Sequence, residues 1–353
     1  MYNKSKIAIF RKAGTPVSIE ECSIPELKQG ELLVKNEYVT LCRSDISTYM
    51  GKRIEKNPTI LGHEIVGRIV AVAPGAPAAD LNGMPLHEGK RITWAIYASD
   101  PDSEMSRLGI PQKSPDLFKY GHEQLTETNT LNGGLAEYTI IRKNTPVIVL
   151  SEDVPVNAAA IINCSVSTVA GAIRLAGGVE GKRVALWGIG MLGIIACAQC
   201  REAGAREIIA VDINSERLAL SGRFGATQTM KAGEFDPSLL KADCTIDFSG
   251  NLASMGATVD ALRIGGTAVW VGGVCPQEPI RLDTEKIVRN LYTIKGLHNY
   301  NADDFRTAVS FMEKHHADYP ISELIYDGFT LDQTEEAFRY AIDNNPFRVG
   351  IHF

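Results

Sequence analysis

Three short strings constrain this chain more than any other feature, because they make chemical sense only if the fold brings them together. They are Cys42-Arg43-Ser44-Asp45, Gly62-His63-Glu64 and, far downstream, Asn163-Cys164-Ser165. Two thiolates and one imidazole make a three-ligand zinc set with its fourth position open, as in catalytic sites; structural zinc is usually closed by four protein ligands. The open position admits an alcohol or carbonyl oxygen, which the metal polarises as a Lewis acid. Any fold that serves this chemistry must carry distant segments to one point.

A second motif bears on a cofactor. Gly188-Ile189-Gly190-Met191-Leu192-Gly193 is a G-x-G-x-x-G run between an apolar strand pattern, 183–187, and a helix pattern, 191–203. In such a run the first glycine allows the tight turn, the second lets the backbone approach a pyrophosphate, and the third permits close helix–strand packing. The phosphates then sit at a helix N-terminus, where unpaired N–H groups and the macrodipole favour negative charge. Asp212 follows Gly193 by nineteen residues, at the end of the next strand pattern. A carboxylate there accepts both adenosine-ribose hydroxyls and repels a 2′-phosphate. Ile213 and Asn214 supply no arginine to bind one, so the motif points to NAD rather than NADP.

The texture of the chain changes once. Up to about residue 165, short β-branched runs such as 31–36 and 65–72 alternate with Gly, Pro and Asn, the pattern of antiparallel strands. From about residue 166 strand and helix patterns alternate, with further strands at 207–211, 245–248 and 268–271, which implies a parallel sheet. At 353 residues the chain has room for two domains. Its net charge of −6 argues against a nucleic-acid or anionic-membrane partner. No apolar run reaches spanning length, and the polar start MYNKSKIAIF does not read as a secretory signal. Seven scattered cysteines suggest reduced thiols and a cytoplasmic setting. Cys197 and Cys200 lie within the helix pattern, on one face and without a charge to activate them, so they read as core.

Together these strings resemble the zinc-dependent medium-chain dehydrogenase/reductase superfamily, the alcohol dehydrogenase relatives, over essentially the whole chain. The first ligand has its usual Ser44-Asp45 neighbours, and the interval of 21 residues to His63 matches the family's. The second motif reads Gly62-His63-Glu64-Ile65-Val66-Gly67, and Cys164 falls where the third ligand belongs, with Thr168 four residues on. The resemblance implies an α/β plus β fold. A GroES-like antiparallel β catalytic domain would cover 1–165, completed by 297–353, and a Rossmann doubly wound parallel-sheet coenzyme domain would cover 166–296. It further implies hydride transfer between an alcohol or ketone and NAD, by a homodimer or homotetramer. Cys42, His63 and Cys164 would hold the metal, with Glu64 an alternate ligand or a group behind it. Asp45 would orient His63 and tune its basicity, and Ser44 would be the first proton acceptor. Arg217 would lie near the adenosine ribose, Arg43 and Arg348 at the pyrophosphate, and Ser249 with Val271-Gly272-Gly273 at the nicotinamide.

Two departures stand out. Many relatives carry a structural zinc on a loop with four closely spaced cysteines, whereas the stretch from Tyr97 to Tyr120 contains none. A single catalytic zinc and no structural zinc are expected, with that lobe held by packing or a subunit contact. Ser47 stands where proton-relay relatives often place a histidine. Serine cannot store a proton near neutral pH, so the relay must run through water or another side chain; His122 and His298 are candidates.

The strings Lys119-Tyr120-Gly121-His122, Asn163-Cys164, Gly190-Met191-Leu192-Gly193 and Gly296-Leu297-His298-Asn299-Tyr300 resemble a subgroup of alcohol dehydrogenases associated with phosphonate catabolism. Gly51-Lys52-Arg53 falls on the loop that borders the substrate pocket in this fold. An Arg fork and a Lys point charge suit phosphonate or carboxylate oxygens. Lys52 and Arg53, with Ser47, His122 or His298, are therefore expected around an anionic or strongly polar head group. The missing structural-zinc cysteines set the chain apart from typical members of that subgroup and leave a polyol, sugar or cyclitol open. A metal-free quinone or enoyl reductase of the same superfamily, and a non-catalytic cofactor-binding protein, are the competing classes. Those reductases lack the Cys/His/Cys set.

Overall fold

The two textures correspond to two bodies of structure. In the computed structural model, which describes residues 3–353, one unit comprises the chain up to Cys164 with Asn301–Ala317 and Ile321–Phe353. The other comprises Ser165–Tyr300 with Asp318–Pro320. Among the described residues no helix is long and apolar enough to cross a membrane.

The first unit is built on a seven-stranded sheet. Its order is Ile325–Thr330, Arg348–His352, Leu32–Leu41, Glu64–Val72, Arg91–Trp94 and Val147–Val149, with Tyr138–Ile141 also paired to Leu32–Leu41. Leu32, Leu33, Val34, Val39, Ile65 and Ile69 bury their side chains with Trp94, Leu135 and Phe338 in one core. The pairing is antiparallel throughout except at one edge, where Ile325–Thr330 and Arg348–His352 run parallel. The helix Thr334–Asn344 lies between those two strands in sequence, and a parallel pair needs such a crossover. The antiparallel strands expected up to about residue 165 are present, and the parallel pair belongs to the C-terminal return of the chain.

Register decides what the sheet presents at its end. Val349 pairs with Leu41, and Thr40 pairs with Glu64. Cys42, His63 and Arg348 are the residues next to these pairs, so three neighbouring strands deliver them to the same edge.

The cysteine-free lobe is organised by a ribbon, Tyr97–Ala98 against Phe118–Lys119. Between these strands Ser103 caps the short helix Glu104–Arg107, and its hydroxyl lies 2.6 Å from that of Ser114.

The second unit is a six-stranded sheet, parallel at every pair. Its order is Gln228–Lys231, Glu207–Asp212, Arg183–Trp187, Ala242–Asp247, Leu262–Trp270 and Thr293–Gly296. This is the strand order of a doubly wound Rossmann sheet. Its switch point lies between Arg183–Trp187 and Ala242–Asp247, and ligands bind beyond the carboxyl ends of the strands there. Gly188 occupies that point with φ of 85°. A Cβ on Gly188 would lie 2.7 Å from the Ser249 nitrogen, and one on Gly193 would lie 2.1 Å from the Gly188 oxygen. The helix Met191–Glu202 therefore packs on the turn only because position 193 has no side chain. Cys197, Cys200 and Cys244 are wholly buried, and burial raises each thiol's pKa, so all three are core residues.

Gly193→Ala should force turn and helix apart and cost about 1–3 kcal/mol, the usual range for overpacking. Urea unfolding of the variant beside wild type measures it.

Candidate active site and metal centre

The first candidate ligand, Cys42, ends a strand and begins a helix. Cys42 is the N-cap of Arg43–Tyr49, and Asp45, one turn in, accepts the Cys42 amide at 2.9 Å. The other Asp45 oxygen accepts the Gly62 amide at 3.1 Å and lies 3.3 Å from Nδ1 of His63. Gly62 has φ of 86°, a left-handed turn that sets His63 at the start of Glu64–Val72. Cys164 sits on a single turn of π-helix, Ile162–Val166, a widened turn often found at functional sites. Its neighbour Asn163 donates to the carbonyls of His63 at 3.0 Å and Trp94 at 2.9 Å, and accepts the Ile65 amide at 3.3 Å. This amide ties the turn that carries Cys164 to the strand that follows His63.

The donor atoms of Cys42, His63 and Cys164 all lie within 4.8 Å of one another. Ser44 Oγ is 3.3 Å from His63 Nε2, which leaves Nδ1 to Asp45. The Cys42 thiol is held well below the usual cysteine range by its hydrogen bond with Cys164, and Arg348 and His63 add to this against burial. The same shared proton, with burial, pushes Cys164 up. Burial opposes a charge on His63, but Asp45 and then Cys42 raise its pKa to about 10. Such a set, two soft sulfur donors and an imidazole, fits a zinc ion.

Behind the ligands lies a buried ion pair. Arg348 Nε donates to Glu64 Oε2 at 2.6 Å and its Nη2 to Oε1 at 2.8 Å, while Thr40 donates to Oε2 at 2.6 Å. Arg348 Nη2 also reaches Cys42 Sγ at 3.5 Å. Burial pushes the Glu64 carboxyl up and Arg348 pulls it down. Arg348, expected at a pyrophosphate, thus spends its guanidinium on Glu64. Glu64, expected as an alternate ligand, is held on that arginine and on Thr40.

Beside His63 lies a second polar group. The His122 ring is 5.0 Å from that of His63, its Nδ1 bonds the Tyr120 carbonyl at 2.8 Å, and its Nε2 is 3.9 Å from Glu55. Burial, then the Lys119 charge, holds His122 well below the usual histidine range. Arg53 pairs with Glu55 at 2.5 Å, and both are mostly buried. Lys52 is exposed, and Ser47 is half-buried, its carbonyl accepting the amides of Lys52 and Arg53.

In the second unit, Asp212 Oδ2 accepts the Ile189 amide at 2.5 Å and Oδ1 the Asn214 amide at 2.8 Å. A Cβ on Gly190 would meet nothing nearer than Arg217 Nη1, at 3.7 Å, so the approach to the helix N-terminus is open. Buried Asp247 accepts the Ser249 hydroxyl at 2.6 Å and the Gly250 amide at 2.8 Å, shaping the turn beside Val271 and Gly272. His298 is half-buried in this unit, just beyond Thr293–Gly296.

Residues 28–152 match the alcohol dehydrogenase GroES-like domain, and residues 191–314 match the zinc-binding dehydrogenase domain. Alcohol dehydrogenase class-2 isozyme 2 of Oryctolagus cuniculus is 30% identical over 76% of this chain and 77% of its own length. The chain belongs to the zinc-binding alcohol dehydrogenase family. An alcohol dehydrogenase from Thermotoga maritima has the same fold, with a TM-score of 0.92 at 24% identity over 99% of each chain. Galactitol-1-phosphate dehydrogenase from Escherichia coli superimposes with a TM-score of 0.85 at 25% identity over 99% of this chain and all of its own. Members of this dehydrogenase family act on small-molecule alcohols with a nucleotide cofactor.

Thr40 and Glu55 in the first unit and Asp247 in the second belong to no motif, and the strings that contain Asn163 and Lys119 give those two residues no role. The one available signal for Asp247 was a carboxylate closing an apolar strand pattern, as at Asp212.

Arg348→Met should leave Glu64 buried without its partner and cost about 3–5 kcal/mol, whereas Arg348→Met with Glu64→Gln should recover much of it. Thermal unfolding of the two variants distinguishes these outcomes.

Proposed function

We propose that this chain is a cytoplasmic zinc- and NAD-dependent dehydrogenase of a polar alcohol, and that the alcohol carries an anionic or strongly polar head group. The observation that carries the reading is the convergence of the Cys42, His63 and Cys164 donor atoms. When bound, zinc supplies Lewis-acid polarisation of the alcohol oxygen and NAD supplies the hydride acceptor. The first unit is the catalytic domain, with the metal on Cys42, His63 and Cys164. The second is the coenzyme domain, with the dinucleotide on the turn Gly188–Gly193.

The protein's own residues have three tasks. Asp45 fixes the imidazole so that Nε2 faces the other ligands, and Ser44, beside that nitrogen, takes the alcohol proton while passing its own hydroxyl proton on to solvent water. Asp212 already organises the glycine turn through the Ile189 amide, and its carboxylate takes the ribose hydroxyls and disfavours a 2′-phosphate. Arg217 lies beside the open Gly190 position, close to where those groups would bind. Ser249, Val271 and Gly272 border the nicotinamide, and His298 stands among the substrate-side candidates. Arg53 supports an anionic head group, as does the likeness to galactitol-1-phosphate dehydrogenase, whose name specifies a phosphorylated polyol. The outer strand Thr293–Gly296 has one sheet neighbour and a largely exposed face, which suits pairing with a second copy in a homodimer or homotetramer.

NAD reduction across hydroxyphosphonates, sugar phosphates, polyols and cyclitols, with metal analysis of the purified protein, tests this reading. A single zinc per chain is expected. None would revive the metal-free reductase, and a second would overturn the cysteine-free lobe as a metal-free one. Asp45→Asn should lower zinc affinity or activity about 10–100-fold, measured by chelator competition and initial rates. Asp212→Ser should raise KM for NAD about tenfold or more and narrow its advantage over NADP, since hydrogen bonds to a charged group are lost.

A further inference from the structure

Every deeply placed guanidinium of the first unit has an acceptor. Arg348 has Glu64, Arg53 has Glu55, and Arg91 reaches the Val154 carbonyl at 2.8 Å. Lys119 differs. It ends the ribbon strand Phe118–Lys119, opposite buried Tyr97, and is itself only partly exposed. Yet among the described residues nothing accepts a hydrogen bond from its Nζ. Partial burial opposes its charge, and such a cost is tolerated where a ligand completes the site.

Its surroundings say what that ligand is. The turn from Lys119 leads directly to His122, whose amide bonds the Lys119 carbonyl at 3.2 Å. From His122 one line of contacts runs to the metal ligand His63, and another runs through Glu55 to Arg53. After burial, Lys119 feels the charges of Arg53, Glu55, Cys164 and Lys113, and together these bring its pKa down to about 8. Near pH 7 it is still mostly protonated. Glu55 and Cys164 favour the charge on Lys119, and Arg53 and Lys113 oppose it. Glu55 is already paired with Arg53, so it does not pair with Lys119. The neighbouring ring of His122 is uncharged and presents no competing anion.

We propose that Lys119 is the specificity-determining residue for the substrate's anionic group, a phosphonate, phosphate monoester or carboxylate, with Arg53 held beside it by Glu55. The proposal rests on the dehydrogenase reading above and gives it a recognition element. It also assigns the part expected of Lys52 to a residue on a different loop. Lys119 holds the anion while the alcohol carbon stays at the ligands, so its loss acts on binding rather than on the chemical step.

The test compares wild type, Lys119→Met, Lys119→Arg and Lys52→Met on alcohols differing only in their terminal group: 2-hydroxyethylphosphonate, 3-hydroxypropanoate and 1-propanol. Methylphosphonate is titrated calorimetrically into each zinc-loaded protein as a direct probe. Wild type should prefer the anionic alcohols, and Lys119→Met should raise their KM by about 10–100-fold, the loss of one charged hydrogen bond. Rates with 1-propanol should stay within about twofold, methylphosphonate binding should disappear, Lys119→Arg should restore part of it, and Lys52→Met should change nothing. Equal losses on all three alcohols, or unchanged methylphosphonate binding in Lys119→Met, would overturn the proposal. Turnover of neutral alcohols alone would also sink it while leaving the dehydrogenase reading intact. If no alcohol is oxidised, that reading fails, and the methylphosphonate titration still decides whether Lys119 receives an anion.

Discussion

The Asp45 carboxylate is the constraint on which the arrangement of Cys42 and His63 depends. One oxygen holds the amide of Cys42, and the other holds the amide of Gly62 and faces His63 Nδ1. A single buried side chain therefore sets the Cys42 backbone, the turn before His63 and the orientation of the imidazole. Hydrogen bonds to a charged acceptor contribute about 1.5–3 kcal/mol each, enough to offset the burial of the charge when several converge. Because Asp45 lies in the first turn of the helix that Cys42 caps, it also stabilises that helix's N-terminus.

A second layer of buried charge supports the first. Glu64 and Arg348 are nearly inaccessible and make two hydrogen bonds with each other, and Thr40 adds a third to the carboxylate. A buried pair of this kind adds little net stability beside a well-packed apolar alternative. Its effect is positional. It links strand Leu32–Leu41 to Glu64–Val72 and to the C-terminal strand Arg348–His352, and it brings a guanidinium within 3.5 Å of the Cys42 sulfur. A cation there favours the thiolate form that a metal requires.

The second unit solves a different problem, which is to expose backbone rather than to converge side chains. Gly188, Gly190 and Gly193 divide the work: a left-handed turn, an open approach and a helix packed against the turn's own carbonyl. Asp212 and Asp247 end neighbouring parts of the sheet and brace the two turns that flank the switch point. Each carboxylate accepts backbone amides, so the turns are held before any ligand arrives.

Much of this was legible in the residues alone because the informative chemistry is local. Cys42 to Asp45, Gly62 to Glu64 and Gly188 to Gly193 each span a few residues, and a capping box or a glycine turn needs nothing beyond its own neighbours. The change from alternating short strands to strand–helix alternation likewise reflects periodicities of two and about 3.6 residues, which a sequence displays directly. Strand register is not displayed. That Arg348 would face Glu64 and Cys42 follows from Val349 pairing with Leu41, a contact between residues three hundred positions apart. That Asn163 would clamp His63, and that the His122 ring would lie beside the His63 ring, depends equally on which loops the sheet brings together. The sequence by itself determined the candidate donor types, the glycine turn and the two kinds of secondary structure. Only the tertiary structure decided which buried charges meet, because pairing energy depends on distance and desolvation, and neither exists until the strands are in register.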